Sequence, residues 1–238
     1  MLNNGDLRPS KSPYATPLHV AKKNGPEKHR FCGDYRRLNA CTRPDRYPVP
    51  NILDFNAGLA GATIFSVLVI KKAYYHIPVA AEDIEKTAII TPCGLYEHVT
   101  MPFGLRNAAQ TFQRFMDELL RDLDFAYVYI DDVLIASPSE AEHEQHVRTI
   151  LKRLDDAGFT LNVSKCVYAQ QEVIFLGHTV TKHGIKPSSE RVSTISEFPL
   201  PTTVEDLRRF LGMINFYRRG IPHFAAIQAH LQQLNHNK

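Results

Sequence analysis

Two adjacent carboxylates lie inside a short apolar segment, AYVYIDDVLIAS, which runs from Ala126 to Ser137. Asp131 and Asp132 offer hard oxygen ligands of the kind that Mg²⁺ takes together with water and phosphate. Two such ions about 4 Å apart can stabilise the attacking and leaving oxygens of a phosphoryl transfer. An ordinary solvated turn is the alternative, because Asp is common in turns. The apolar flanks favour the metal-binding hypothesis.

The segments around this pair predict both strands and helices. The flanks of the pair predict two short strands joined at Asp131-Asp132, since Asp tolerates the backbone angles of a tight hairpin turn. The run ATIFSVLVI (62–70) is rich in β-forming residues and predicts a buried strand. Residues 108–123 predict a helix, because they carry one apolar stripe at helical spacing. The stripe consists of Phe112, Phe115, Met116, Leu119, Leu120 and Leu123.

Further elements follow toward the C-terminus. Ser139 and Glu142 have the spacing of a capping box and predict a helix that ends at Gly158. The segment VIFLGHTVTKHGIKP (173–187) predicts a second hairpin, and Thr203 predicts the cap of a last helix. Because strands and helices are interspersed with hairpins, the predicted fold class is α+β.

Composition and charge limit the functions to consider. The chain has 238 residues, 44% of them hydrophobic, which is enough to bury a sizeable core. The net charge of +3 is uneven, since residues 1–50 carry ten Lys and Arg against four Asp and Glu. This imbalance is typical of a surface that meets phosphate, although an ordinary solvated basic face has the same composition. No run approaches the ~18 apolar residues of a membrane span, so we expect no membrane partner.

The cysteines and histidines predict no metal site of their own. The cysteines lack C-x-x-C spacing, which argues against zinc and against a disulfide framework and favours a reducing intracellular compartment. The histidines have no paired metal spacing. The residues concerned are Cys32, Cys41, Cys93 and Cys166, and His76, His98, His143 and His146.

The segment Tyr129-Ile130-Asp131-Asp132 resembles the Y-x-D-D box of reverse transcriptases. Most of the chain, roughly residues 12–224, resembles one subgroup, the gypsy-type long-terminal-repeat retrotransposons. So many blocks in register are very specific. They are FCGDYRRLN (31–39), DRYPVPNI (45–52), LAGATIFS (59–66), AYYHIPVA (73–80), EKTAIITPCGLYE (85–97), MPFGLRNAAQTFQRFMDELL (101–120), YIDDVLIASPS (129–139), FLGHTV (175–180) and FLGMINFYRR (210–219).

The resemblance implies an α+β right-hand polymerase. The fingers would comprise residues 1–61 and 79–106, the palm residues 62–78 and 107–190, and the beginning of the thumb residues 191–238. The implied activity is RNA-directed DNA synthesis with two Mg²⁺ ions. Its implied partners are an RNA or DNA template with a primer and deoxynucleoside triphosphates, and its implied location is the cytoplasm or a particle. Connection, ribonuclease H, protease and integrase segments are absent, so we expect a fragment or a truncated reading frame.

One position departs from the family at the metal site. The family block reads F-S-K-I-D-L-x-x-A-Y-H-Q-I-P, and this chain reads FSVLVIKKAYYHIP over residues 65–78. The frame places the family's metal-binding Asp on Val69 and its nearby Lys on Val67. Asp131 and Asp132 are therefore the catalytic and metal-binding residues that remain. Because valine has no lone pair for a cation, we expect catalysis to fall by several orders of magnitude while the fold survives.

Other blocks imply residues that contact the nucleotide. Lys23 and Arg30 resemble the family's triphosphate-binding cations, with solvated loop cations as the alternative. Tyr74 aligns with the aromatic residue under the sugar, which favours deoxynucleotides, and core packing is its alternative. Phe103 and Gly104 match the block that packs against nucleotide and template.

A second block resembles the primer grip, the hairpin that sets the 3′ end of the primer. It places Leu176, Gly177 and His178 in that role, and a simple hairpin is the alternative. Lys165 matches a family lysine near the active site. Arg106 is either a phosphate contact or a surface arginine.

These features leave three hypotheses for the function. The first is an RNA-directed DNA polymerase domain impaired by Val69. The second is a non-catalytic module that binds a primer–template or an RNA. The third is a decayed retroelement remnant without a selected role.

Overall fold

The computed structural model describes residue 2 and residues 5–22, 29–215, 217–218, 222–226 and 228–229. The helices in this part of the chain are α1 (Arg36–Cys41), α2 (Ala108–Leu120), α3 (Glu140–Asp156), α4 (Ser189–Ser196) and α5 (Val204–Asn215). The strands are β1 (Leu7–Pro9), β2 (Thr16–Lys22), β3 (His29–Gly33), β4 (Ile64–Val69), β5 (Ile89–Thr91), β6 (Gly94–His98), β7 (Ala126–Tyr129), β8 (Asp132–Ser137), β9 (Val167–Gln170), β10 (Glu172–Phe175), β11 (His178–Thr181) and β12 (Gly184–Pro187).

A four-stranded sheet carries the acid pair. Its strand order is β7-β8-β4-β9, and each neighbouring pair is antiparallel. The register between β4 and β8 ends with Val69 opposite Asp132. Because side chains alternate between the two faces of a strand, Leu68 lies on one face, and Val67 and Val69 lie on the other.

Both faces of this sheet are covered, which is why β4 reads as a continuous apolar run. Helices α2 and α3 cover the face of Leu68, where the buried residues include Leu68, Ile70, Phe112, Met116, Ile150 and Leu154. The sheet β10-β11-β12 and residues 52–62 cover the opposite face. The buried residues there are Ile52, Leu59, Ala62, Phe65, Val67, Leu134, Ala136, Val173, Phe175 and Val180.

A second sheet has five strands in the order β1-β6-β5-β2-β3. Strand β2 pairs in parallel with β5 and antiparallel with β3. Strand β1 pairs with β6 at the edge. Residues 7–9 and 16–17 thus contribute to this sheet.

Most predicted elements are confirmed, and with them the α+β class. Strand β4 and helix α2 fall within the predicted ranges. Helix α3 begins after Ser139, whose Oγ accepts the N–H of Glu142 at 3.4 Å, and Gly158 follows its end at φ +77°. Helix α5 begins after Thr203, whose Oγ1 accepts the N–H of Asp206 at 3.1 Å.

The prediction of a single hairpin over residues 173–187 is wrong. This segment forms three strands joined by two successive turns, because both Leu176-Gly177 and the residues before Gly184 reverse the chain. Helix α4 was not predicted. Within the part of the chain that the structure describes, no helix is long and apolar enough to cross a membrane.

Candidate functional site

The acid pair lies at the tip of the β7–β8 hairpin, but the turn comes one residue earlier than predicted. Tyr129 pairs with Asp132, so the turn residues are Ile130 and Asp131, and Asp132 already belongs to β8. The prediction that the strands are joined at Asp131-Asp132 is therefore wrong. The left-handed backbone falls on Ile130, at φ +52°, although β-branched residues rarely adopt it. Such strain persists only where the surroundings hold it, as at functional sites.

Two backbone contacts hold this turn in place. The N–H of Ile130 donates to Oε1 of Gln113 at 2.8 Å, and the carbonyl oxygen of Asp131 accepts the N–H of Ile70 at 2.8 Å. Sequence reasoning missed Gln113, which is fully buried on α2. Its signal was a polar residue directly beside Phe112 in the predicted apolar stripe.

The register places Val69 beside the acid pair. Val69 is directly opposite Asp132, and side chains in such a pair have their Cβ atoms about 4.5–5.5 Å apart. A carboxylate at this position would therefore face Asp132 across the two strands. Instead, the Val69 side chain packs against the apolar cluster that also receives Tyr129 and Leu176.

The two carboxylates differ in their surroundings. Asp131 is exposed, and Asp132 is partly buried. The pKa of Asp132 is raised to about 6, first by burial and then by the charge of Asp131, while the charge of Lys165 lowers it. Like charges held this close oppose each other unless a cation lies between them.

The donor set of the site decides which metal arrangement fits. No group of three His, Cys, Asp or Glu side chains that could hold a metal ion occurs among the described residues. Asp131 and Asp132 fit one hard cation whose remaining positions go to water or phosphate. They do not fit a pair of ions bridged from both strands, because Val69 supplies no oxygen atom on the β4 side.

Residues 160–166 close the end of β4. The carbonyl oxygen of Val69 accepts the N–H of Asn162 at 2.8 Å, and the N–H of Val69 donates to Sγ of Cys166 at 3.4 Å. A bridge between Ile70 and Leu161 continues this contact. These bonds bring Lys165 into electrostatic range of Asp132, which supports the predicted position of this lysine near the site.

At their other ends, β4 and β8 are joined by a buried histidine. Nε2 of His143 lies 2.7 Å from Oγ of Ser66 on β4, and its Nδ1 lies 2.7 Å from Oγ of Ser137 on β8. Burial lowers the pKa of His143, and the charge of His146 lowers it further. His143 thus has a structural role as the link between the two strands.

Two of the predicted nucleotide-binding residues contact each other. The rings of Tyr74 and Phe103 have centroids 5.1 Å apart. Gly104 follows at φ +95°, and an added Cβ there would lie 3.4 Å from the carbonyl oxygen of Gly33. Asn39 ties this loop to α1, because its Nδ2 donates to the carbonyl oxygen of Gly104 at 2.8 Å.

Lys23 and Arg30 are the predicted cations of the triphosphate site. Lys23 lies outside the described residues. Arg30 belongs to β3, but its side chain lies outside them too. Arg106 donates to the carbonyl oxygens of Asn39 at 3.0 Å and Thr42 at 3.4 Å. These bonds connect the loop of Arg106 to the end of α1.

The predicted primer grip is the tight turn between β10 and β11. Leu176 at φ +51° and Gly177 at φ +75° form the turn, and Phe175 pairs with His178 across it. The buried His178 donates from Nδ1 to the carbonyl oxygen of Leu176 at 3.1 Å. A Cβ on Gly177 would lie 3.1 Å from Nε of Arg191. Leu176 packs against the same apolar cluster as Val69.

Comparisons with known proteins agree with this architecture. The family described as "Reverse transcriptase (RNA-dependent DNA polymerase)" matches residues 20–180. The retrovirus-related Pol polyproteins from transposons 297 and gypsy of Drosophila melanogaster are each 42% identical to this chain over 95% of its length. The transposon Tf2-3 polyprotein of Schizosaccharomyces pombe is 37% identical over 93% of the chain. The chain spans 22%, 23% and 17% of these relatives, respectively.

Solved structures show the same fold. A foamy viral protease-reverse transcriptase in complex with double-stranded DNA matches with a TM-score of 0.91 at 25% identity, over 98% of this chain and 41% of that chain. A foamy viral protease-reverse transcriptase in complex with an RNA/DNA hybrid matches with a TM-score of 0.87 at 24% identity, over 100% of this chain and 32% of that chain.

Proposed function

Because this chain belongs to the reverse transcriptase family, we propose that it is the polymerase part of a retrotransposon Pol polyprotein whose metal site is impaired. The observation that carries the impairment is the register that puts Val69 opposite Asp132. The chain spans about a fifth of its relatives, so its activity on template, primer and nucleotide belongs to this proposal.

The division into subdomains that we propose separates the five-stranded sheet from the four-stranded sheet. We assign the fingers to residues 1–61 and 79–106, which contain the five-stranded sheet. The palm comprises residues 62–78 and 107–190, which contain the four-stranded sheet. Residues 191–238 begin the thumb. The family also implies a location in the cytoplasm or in a particle, and we propose that location for this chain.

Asp131 and Asp132 are the residues that would hold the divalent cation, Mg²⁺. A bound Mg²⁺ stabilises negative charge on phosphate oxygens during nucleotidyl transfer. Across the two facing strands, the hairpin offers carboxylate oxygens and β4 presents the methyl groups of Val69. Asp131 and Asp132 can therefore orient a cation from one side only. In a site that works by positioned charge, losing one ligand removes several kcal/mol of stabilisation.

The predicted nucleotide contacts form the second part of the proposal. Tyr74 follows the strand that ends at Val69, and its ring contacts that of Phe103. We propose this pair as the floor for the sugar of a deoxynucleotide. Gly104 lets the backbone approach closely because it carries no Cβ. Lys23 and Arg30 remain the proposed triphosphate contacts, and Leu176, Gly177 and His178 the proposed primer grip.

The experiment restores the missing ligand. Val69→Asp is compared with the wild type and with Val69→Asn, which matches the size of Asp but lacks its charge. We expect Mg²⁺-dependent incorporation of deoxynucleotides on a primed RNA template to rise at least 100-fold in Val69→Asp. Val69→Asn should stay within a few-fold of wild type. Equal rates for wild type and Val69→Asp would overturn the metal argument.

If neither protein incorporates nucleotides, the assay is repeated with the thumb of a relative appended. Inactivity of all these proteins would reject the polymerase proposal for this chain. Appending the thumb separates a defect at Val69 from a defect in the segment after residue 190.

A non-catalytic nucleic-acid-binding module is the second candidate. The basic N-terminal residues favour it, as do the exposed Lys71 and Lys72 beside the site. Such binding weakens as salt rises, because phosphate contacts release counterions. Binding of a labelled primer–template is therefore measured between about 50 and 200 mM salt, because affinity falls steeply over this range when phosphate contacts dominate. No binding at low salt would leave a decayed remnant as the remaining hypothesis.

A further inference from the structure

Gln113 connects helix α2 to the turn that carries Asp131. Its side chain is fully buried, and its Oε1 accepts the N–H of Ile130 at 2.8 Å. Its Nε2 donates to the carbonyl oxygen of Val128 at 3.2 Å. Because an unpaired polar group is costly when buried, these bonds specify where the turn lies relative to the helix.

Asp117 extends this connection by one helical turn. Its Oδ1 accepts a hydrogen bond from Nε2 of Gln113 at 2.8 Å, and its Oδ2 accepts one from the hydroxyl of Tyr47 at 2.7 Å. The bond to Asp117 raises the pKa of Tyr47, so this hydroxyl keeps the proton that it donates. Hydrogen bonds therefore run without interruption from Tyr47 through Asp117 and Gln113 to Ile130, and we call this series the relay.

Tyr47 is itself held in place and lies at the surface. The guanidinium carbon of Arg114 is 4.6 Å from the centre of the Tyr47 ring. The backbone N–H of Tyr47 donates to Oδ1 of Asp45 at 2.9 Å. Tyr47 and Asp117 also line an open cleft of about 310 Å³, together with Phe55 and other residues. The outer end of the connection is therefore accessible, whereas its inner end is buried.

We propose that Gln113 and Asp117 are positioning residues for the site. They hold the Ile130–Asp131 turn and thereby set where the two carboxylates lie, with Tyr47 as the outer end of the relay. The physical reason is the left-handed backbone of Ile130, which a β-branched residue adopts only when its surroundings impose it. The consequence for metal binding rests on the proposed function, but the relay itself does not.

Amide hydrogen exchange at Ile130 tests the relay directly. The variant Gln113→Leu removes both hydrogen-bonding groups at similar volume. We expect the Ile130 amide to exchange about tenfold faster, the upper range for one lost hydrogen bond, while the amides of Val133 and Leu68 keep their wild-type rates. An unchanged rate at Ile130, or an equal acceleration at all three amides, would overturn the proposal.

Gln110→Leu is the matched control. Gln110 lies one turn earlier on the same helix, and its buried Oε1 has no hydrogen-bond partner within the described ranges. The same change at Gln110 should therefore leave exchange at Ile130 unaltered. If Gln110→Leu accelerates exchange at Ile130 as much as Gln113→Leu does, the effect comes from loosening of α2 and the relay is rejected.

The outer end supplies a variant that should fold even if Gln113→Leu does not. Tyr47→Phe removes only the hydroxyl, and Tyr14→Phe, at an exposed tyrosine in the N-terminal segment, is its control. We expect about twofold to threefold faster exchange at Ile130 in Tyr47→Phe and none in Tyr14→Phe. Equal rates in both variants would overturn the role of Tyr47 and Asp117.

A second measurement extends the test to the carboxylates. Binding of Mn²⁺, followed by water proton relaxation, should weaken at least threefold in Gln113→Leu relative to Gln110→Leu. Exchange is measured without metal or nucleotide, so the relay can stand even where the proposed polymerase function fails. Unchanged Mn²⁺ affinity with faster exchange would reject the positioning of the carboxylates.

Discussion

The β7–β8 hairpin and the end of β4 lie side by side, yet they have changed differently. The hairpin keeps Asp131 and Asp132 at a strained turn that Gln113 and the backbone of Ile70 hold in place. The end of β4 carries Val69 opposite Asp132, where a third carboxylate would complete the proposed metal site. In that proposal, the hairpin keeps its carboxylates and β4 keeps only the shape of the strand.

This difference indicates that the fold of the strand and the binding of a metal at its end depend on separate side chains. The β4–β8 register continues to its last pair although the ligand is absent. Valine is a strong β-former, and the face on which Val67 and Val69 lie is apolar. Replacing a partly buried charge by an aliphatic group is often neutral or stabilising. Valine at this position is thus compatible with the architecture of the sheet.

The largest expected effect separates the interior of β4 from its end. Leu68→Ala opens a cavity between the sheet and the two helices, since Leu68 is fully buried. We expect it to lower the free energy of unfolding by about 3 kcal/mol. Val69→Ala, at the partly exposed end, should lower it by about 1 kcal/mol. Urea denaturation measures both, and equal losses would mean that the end of β4 is as essential to the fold as its interior.

The next effect puts charge back at the end of β4. Without metal, Val69→Asp should be less stable than wild type by about 2 kcal/mol, because a third carboxylate faces Asp132 and Asp131. Mg²⁺ should recover much of this loss in the variant and change wild type little. Thermal unfolding in EDTA and in Mg²⁺ gives both values.

Val69→Asn is again the control, since it adds a polar group without charge. Its stability should not depend on Mg²⁺. If Val69→Asp is as stable as wild type in EDTA, the site tolerates a third charge, and the comparison between the two strands loses its electrostatic basis.

Local patterns predicted the strands and helices around the acid pair, and the resemblance predicted that Val69 lies beside that pair. The run 62–70 and the stripe on 108–123 are strong signals because their period reports burial directly. The turn was misplaced by one residue, since propensity assigns left-handed backbone to Asp rather than to Ile130. Tertiary contacts, above all from Gln113, override that preference, and such contacts are not visible in one segment.

The five-stranded sheet was hardly predictable from pattern alone. Strand β2 has mostly exposed or partly exposed residues and contains Pro17, so it shows neither clean alternation nor an apolar run. Its parallel pairing with β5 joins segments about 70 residues apart, a distance over which local propensity carries no information. The resemblance, not the period of the residues, indicated that this region folds.

A smaller effect concerns the histidine that joins the far ends of the two strands. Burial lowers the pKa of His143 in the folded protein, so the unfolded chain takes up its proton first as the pH falls. The stabilisation is complete above the ordinary His pKa of about 6.5 and declines below it. We expect wild type to lose more stability between about pH 7 and 5 than His143→Gln does, because only wild type has this buried imidazole to protonate.

Urea denaturation at each pH measures this difference. Comparison with the variant is needed because His98 is also buried, and its pKa is lowered to about 4, so it contributes with the same sign. Parallel pH profiles for wild type and His143→Gln would show that the contact between Ser66 and Ser137 does not depend on a neutral imidazole.

The last and smallest effect compares Val67 and Val69, the two valines at positions where the resemblance implies polar residues. Val67 is buried at 6% exposure, so the hydroxyl of Val67→Thr enters an apolar cluster and should lower the free energy of unfolding by about 1 kcal/mol. Val69 lies at the edge of the same cluster, where a hydroxyl can reach water. Val69→Thr should therefore change it by less than about 0.5 kcal/mol. Denaturation midpoints resolve the two changes in stability. A larger loss of stability at Val69 would mean that its methyl groups are packed as tightly as those of Val67. Valine at position 69 would then stabilise the strand as well as leave the proposed metal site without a ligand.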